Sequence, residues 1–167
     1  MALEFPADRA TATIDTQYML GESLLVAPVF NAEGDVDFYV PEGTWTPLLT
    51  GEKVVGPRWV HQQHGFDSLP LLVRPDTVLA LGARTDRPDY EYADGVVLHL
   101  YQLADGHRSV TRVPALGGAG GTSFTVTRVG RSVVVEAEDM QYPWSVHVAG
   151  GPSSQAASNV SRLEIEL

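Results

Sequence analysis

The chain has 167 residues, 44% of them apolar, with 11 basic against 21 acidic side chains and a formal net charge of −10. That length and apolar content support a packed core and argue against disorder. The acidity argues against nucleic acid or an anionic membrane surface as partner, since both need clustered Lys and Arg; the absence of cysteine excludes disulfides and thiolate metal sites and fits a reducing compartment.

No apolar run approaches the roughly 18 residues of a membrane span. The N-terminus, Met-Ala-Leu-Glu-Phe-Pro, has neither a basic region nor a long apolar stretch, so it does not read as a signal peptide. Leu3 and Phe5, stopped by Pro6, read as the end of a strand. Ala7–Thr13 reads as a polar loop. A short helix is expected over Thr16–Leu20, with Asp15 as its N-cap and Gly21 as its stop. The run Leu24–Phe30 is apolar on both faces and predicts a strand buried on both sides, bent or edged at Pro28.

From Leu24 onward the period is two. Val36, Phe38 and Val40 alternate with Asp37 and Tyr39, the pattern of a half-buried strand. Pro41-Glu42-Gly43 is expected to turn the chain into a second hairpin arm carrying Trp45 and Leu48. Gly56-Pro57 should break the chain again before a short strand at Trp59–His61. Leu69–Val73 and Val78–Leu81 flank a turn at Arg74-Pro75-Asp76. Gly82–Asp89, polar except for Ala83, is the expected domain boundary.

Val96–Leu103 reads as a strong strand between two hairpin turns, Ala93-Asp94-Gly95 and Ala104-Asp105-Gly106, with Val110 and Val113 on its partner. Leu116–Gly121 is expected to be a flexible loop. Phe124 and Val126 begin a strand that Gly130 turns into Val133, Val135 and Ala137. Trp144, Val146 and Val148 alternate with Ser145 and His147. Gly150–Asn159 reads as a polar loop, and Leu163, Ile165 and Leu167 form a last strand with one dry and one charged face. Short strands every 8–12 residues with turn chemistry between them predict β-sandwiches.

The chemistry-bearing patterns are weak. Asp35 and Asp37 share one strand face and read as the solvent side opposite Val36 and Phe38. His61 and His64 have no third ligand at metal spacing. Gly21-Glu22-Ser23 lacks the second Gly of a nucleophile elbow. The Gly-rich run 117–121 lacks the Lys-Ser/Thr of a phosphate loop. Asn159-Val160-Ser161 is a glycosylation sequon by pattern only. Trp45 and Trp144 fall on the apolar side of their alternations and read as core. Trp59, Tyr90, Tyr92 and Tyr142 are left open as possible sugar-stacking rings.

Several strings together resemble glycoside hydrolase family 31. Gln17-Tyr18-Met19-Leu20-Gly21 and Leu24-Leu25-Val26-Ala27-Pro28-Val29 are similar to the segment following the catalytic barrel in that family. Asp35–Trp45 resembles the next family hairpin. Ser68–Arg74 and Val78–Gly82 resemble a further pair. Leu3-Glu4-Phe5-Pro6 resembles the end of the eighth barrel strand. Arg87-Pro88-Asp89-Tyr90 and Leu100-Tyr101-Gln102-Leu103 look most like bacterial α-xylosidases. The likeness is strong over residues 3–106 and weak beyond.

The resemblance implies an all-β architecture of two β-sandwiches preceded by a short remnant of a (β/α)₈ barrel. Residues 1–17 would be the barrel's tail, 18–86 a proximal C-terminal sandwich and 87–167 a distal one. The parent would be a cytoplasmic retaining α-glycosidase acting on terminal α-xylosyl residues. Such an enzyme needs two carboxyl groups roughly 5–5.5 Å apart, which in this family are aspartates on earlier barrel strands. No position here matches those motifs, so no catalytic, cofactor or metal residue is assigned, and the chain is expected to be an inactive C-terminal fragment. Its expected partners are the absent barrel and, through exposed apolar surface, a second copy. An independent carbohydrate-binding or oligomerisation module is the alternative.

Overall fold

The computed structural model describes every residue except Ala119 and Ala157. It is an all-β protein divided into two compact units, Met1–Pro75 and Asp76–Leu167. Composition suggests a boundary within Gly82–Asp89, and the family resemblance implies one at 86/87. The strand Thr77–Leu81 pairs with Val97–Tyr101, inside the second unit.

The first unit holds a 3₁₀ helix, Arg9–Thr13, where a polar loop was expected. Asp8 caps it, its Oδ1 accepting from Ala10 N at 3.0 Å. Five strands follow: β1 (Tyr18–Leu20), β2 (Leu24–Val26), β3 (Asp35–Pro47), β4 (Val54–Gln63) and β5 (Leu71–Val73), in sheet order β1-β2-β5-β3-β4. The helix expected over Thr16–Leu20 is absent. Tyr18–Leu20 pairs antiparallel with Leu24–Val26 across Gly21-Glu22-Ser23, with Gly21 at φ +63°. Three apolar residues in a row are too few for the period to separate strand from helix. β2 also stops at Val26, short of Phe30, and Phe30 is exposed.

Pro41-Glu42-Gly43 does not turn the chain. It lies inside β3, and the ladder to β4 resumes beyond it: Val40 faces Arg58, and Gly43 faces Gly56. Pro41 and Glu42 therefore oppose the single residue Pro57, the two-against-one count of a β-bulge. Gly56-Pro57 is the β4 half of this bulge, not a chain break. A Cβ on Gly56 would sit 2.0 Å from Pro41 O, so the close approach of the two backbones requires glycine there.

The bulge bends β3, and the sheet closes over a core of Leu25, Leu72, Val36, Phe38, Val40 and Trp45. Trp45 is fully buried, and its Nε1 donates to Pro41 O at 3.0 Å. Met1 and Phe5 pack against the same core, Phe5 lying 6.2 Å from the Trp45 ring. Gln17 ties the N-terminal segment down. Its Nε2 donates to Tyr39 O at 2.8 Å, and its Oε1 accepts from Tyr39 N at 2.6 Å. β5 reaches only Thr46 and Pro47 of β3, so the Gln17 amide stands in for a strand along the other half.

The second unit is a sandwich of two four-stranded sheets. One orders β13 (Arg162–Glu166), β10 (Ser132–Glu138), β9 (Gly121–Val129) and β8 (Arg108–Pro114). The other orders β12 (Ser153–Ala156), β11 (Trp144–Val148), β7 (Val97–Tyr101) and β6 (Thr77–Leu81). Their inner faces share a core that includes Leu98, Leu100, Phe124, Val126, Val133 and Trp144. The hairpin at Gly130 and the terminal strand form as expected.

Three expectations change in this unit. β8, with Val110 and Val113, does not pair with β7; Ala104-Asp105-Gly106 carries the chain from one sheet to the other. Ala93-Asp94-Gly95 leads into β7 without a hairpin partner before it; β7 pairs with β6 and, in parallel, with β11. The expected loop at 150–159 contains β12, a polar edge strand pairing Ser153–Ala156 with β11. Of the two expected loops at 116–121 and 150–159, Ala119 and Ala157 lie outside the described residues, and Gly121 already belongs to β9.

Candidate functional site

The exposed chemistry of the first unit gathers on the outer face of the β3–β4 ladder. Alternation sends Val36 and Phe38 inward and leaves Asp35 and Asp37 exposed. Asp35 and Asp37 do not act as a carboxylate pair, because Asp37 faces across the ladder. Its Oδ1 lies 3.1 Å from His61 Nδ1, with both side chains more than half exposed. One step along, Tyr39 faces Trp59, their ring centroids 5.6 Å apart. Tyr39 is buried beneath the N-terminal segment and donates its hydroxyl to Asp8 Oδ2 at 2.7 Å. Burial, reinforced by that carboxylate, pushes the Tyr39 phenol up to about 12. Trp59 remains 57% exposed. Beside it a groove of about 490 Å³ runs between Asp8, Arg9, Tyr39, Glu42 and Pro57.

His64 is separate from this face. Its ring sits between Ser68 Oγ and Gln62 Oε1, each at 3.0 Å. Among the described residues no group of three or more His, Asp or Glu side chains is placed to hold a metal ion. Gly21-Glu22-Ser23 is the β1–β2 turn. The glycines at 117, 118 and 120 have positive φ in the loop, and Gly121, also at positive φ, opens β9.

Trp144 is core, as its alternation suggested; its Nε1 donates to Val160 O at 2.8 Å, and its ring lies 5.1 Å from Phe124. Tyr90 and Tyr92 make an edge-to-face pair at 5.2 Å, and Tyr142 packs on the sandwich core. Of the four rings left open by the sequence, Trp59 alone stands out from the surface as an exposed large ring.

The second unit brings together groups that the sequence did not flag. Asp76 Oδ1 lies 2.7 Å from His107 Nδ1, and His107 Nε2 lies 2.7 Å from Ser109 Oγ. The connectivity is that of a Ser-His-Asp relay. Here it is a tether: the same Asp76 oxygen also accepts from Ala104 N at 2.7 Å, and Ser109 stands in the inward row of β8 with Val113. On the outer face of the other sheet, His99 and His147 meet edge to face at 5.1 Å over a shallow groove with Ser145, Ser153 and Gln155. Burial, helped by His147, holds the His99 imidazole below its ordinary range. No helix among the described residues is long and apolar enough to cross a membrane.

Residues 1–79 match the model of the glycosyl hydrolase family 31 C-terminal domain, and residues 91–166 match that of the alpha-xylosidase YicI C-terminal domain. An alpha-xylosidase of Emericella nidulans is 45% identical over 104 residues, covering 58% of this chain and 13% of that protein. Alpha-xylosidase XylQ of Lactiplantibacillus pentosus is 34% identical over 151 residues, covering 89% of this chain and 20% of that one. The chain thus spans a fifth or less of the length of these relatives. The crystal structure of a GH31 alpha-xylosidase from Xanthomonas citri superposes on all of this chain and 21% of its own, with a TM-score of 0.76 at 20% identity, a likeness of fold.

Proposed function

Because the chain belongs to glycoside hydrolase family 31, as a C-terminal region of the family, we propose that it is the ancillary β-sandwich region of an α-xylosidase. Its role is to brace the catalytic domain rather than to cleave substrate. The observation that carries the reading is the succession of two C-terminal family models along one chain, the second of them that of an alpha-xylosidase. In this reading residues 1–17 are the trailing edge of the barrel, held by Phe5 on Trp45 and by Gln17 on Tyr39. A cytoplasmic setting belongs to the same reading and suits a sequence without cysteine.

The distribution of exposed apolar side chains supports a bracing role. Eleven large apolar residues stand exposed among those described, and eight of them belong to the first unit, including Leu3, Tyr18, Leu20, Phe30 and Phe66. These side chains are the apolar surface that the proposed brace would cover. Two of the three carboxylates that line the groove beside Tyr39 have structural partners: Asp8 caps the 3₁₀ helix and holds Tyr39, and Glu4 pairs with Arg74 at 3.1 Å. Neither is left free to act as the acid or nucleophile of a retaining glycosidase.

The test is the behaviour of the purified chain in solution. Binding of an apolar-surface dye and concentration-dependent light scattering are expected. Both should fall in a Leu20→Glu, Phe66→Glu double variant that keeps the same β-sheet circular dichroism. A monomer at all concentrations, without dye binding, would overturn the bracing role.

A further inference from the structure

We propose that the outer face of the β3–β4 ladder is a binding site for a neutral pyranose, with Trp59 as the stacking ring and the Asp37–His61 pair as its hydrogen-bonding arm. The proposal stands on this unit's own geometry and not on the α-xylosidase reading.

Trp59 and His61 are two residues apart on β4, so their side chains leave the same face about 7 Å apart. That is the width of one sugar ring. Their cross-strand partners, Tyr39 and Asp37, fix each of them in place. Tyr39 tilts against the Trp59 indole at 57° and is itself locked by Asp8 and Gln17. One edge of the indole is thus supported while the ring remains open to solvent. The negative face of an indole attracts the slightly positive C–H groups of a pyranose, which line one side of the ring.

The polar arm is matched to hydroxyl groups. Asp37 Oδ1 accepts from His61, so the imidazole proton lies on Nδ1. Asp37 Oδ2 remains as an acceptor, and His61 Nε2 is a second one in the neutral imidazole. Each can take a proton from a sugar hydroxyl, and vicinal hydroxyls present two such donors on adjacent carbons. On the other side of Trp59, Glu42 and Arg9 line the groove beyond Pro57 and extend the polar surface for a second ring. The acceptor pair, Glu42 and the net charge of −10 disfavour an anionic sugar. A neutral glycan is therefore the occupant that the chemistry fits. Pre-formation favours binding: none of these side chains has to be released from a core contact to accept the ring.

The arrangement provides its own reporter. Trp45 and Trp144 are buried, so a change in tryptophan emission on adding sugar reports on Trp59. The experiment titrates the full chain with isoprimeverose, cellotetraose and trigalacturonate. For a neutral oligosaccharide, a saturable emission change below about 10 mM is expected, the range of a shallow site with one stacking ring and few hydrogen bonds. Trp59→Ala should abolish the change. His61→Ala keeps the reporter and should weaken binding about tenfold, the effect of one lost hydrogen bond. No saturable change with either neutral sugar overturns the proposal. Equal binding of trigalacturonate, or His61→Ala binding as tightly as the parent, overturns the assigned role of the Asp37–His61 arm. Because the readout is binding, a failure here leaves the bracing role standing, and a failure there leaves this site standing.

Discussion

Replacing Gln17 by Ala removes the one side chain that completes the inner half of β3. Gln17 is 3% exposed and makes two short hydrogen bonds to the Tyr39 main chain. Without it a buried N–H and a buried C=O lose their partners together. Each orphaned group costs about 1–3 kcal/mol, so the first unit should lose about 2–6 kcal/mol. A domain of this size holds only about 5–15 kcal/mol in all. The unfolding midpoint should therefore drop by at least about 8 °C. The assay is thermal and urea unfolding followed by tryptophan emission in a Trp144→Phe background, where Trp45 and Trp59 report the first unit. Gln17→Glu sharpens the test. Its ionised carboxylate still accepts from Tyr39 N but cannot donate to Tyr39 O, whereas the protonated acid can do both. This variant should be destabilised at neutral pH and regain part of the loss on acidification. A loss under about 0.5 kcal/mol for Gln17→Ala, far below one unpaired buried group, would refute the idea that this side chain substitutes for a strand.

Four further outcomes are expected. Phe38, 1% exposed at the centre of the first core, should cost about 3–5 kcal/mol on replacement by Ala, measured by urea unfolding. The Tyr39 phenol, pushed up to about 12, favours the folded state while neutral; that contribution is full below about pH 10, the ordinary tyrosine value, and is lost as pH rises toward 12. Alkaline unfolding should begin in that window, and Tyr39→Phe should lose this pH dependence. His99, held below its ordinary range by burial, favours the folded state while neutral, so the second unit should lose stability as pH falls below about 6.5, and His99→Gln should flatten that acid limb. Gly34→Ala should cost more than about 1 kcal/mol, because φ is +80° and the new Cβ would meet His64 O at 2.1 Å; the loss of the Gly34–His64 contact is readable by amide exchange at His64.

Much of this fold is legible where alternation is long and one face is dry. Phe124 to Glu138 and Arg162 to Glu166 carry that pattern, and both form strands in the expected places. The misreadings share a physical origin: local chemistry does not say what a segment will pair with. Pro41-Glu42-Gly43 has good turn chemistry, yet the ladder on both sides converts it into a bulge. Ala104-Asp105-Gly106 suits a hairpin, but nothing in three residues tells the next strand which sheet to join. Ser153–Ala156 lacks an apolar face because β12 is a sheet edge. The site was half visible. Trp59 could be named as a candidate ring, but its exposure could not be known, and pairing Asp37 with His61 needs the register across the bulge. Asp76, His107 and Ser109 come together from the turn before β6, the crossover and β8, and no spacing in the sequence announces them.

The role proposed for this C-terminal region of the family is to brace a catalytic domain without cleaving substrate itself. The direct measurement is release of p-nitrophenol from p-nitrophenyl α-xyloside by the purified chain. No release above the buffer blank is expected at any concentration of the chain. Turnover that persists through repurification and scales with the amount of chain would contradict the claim.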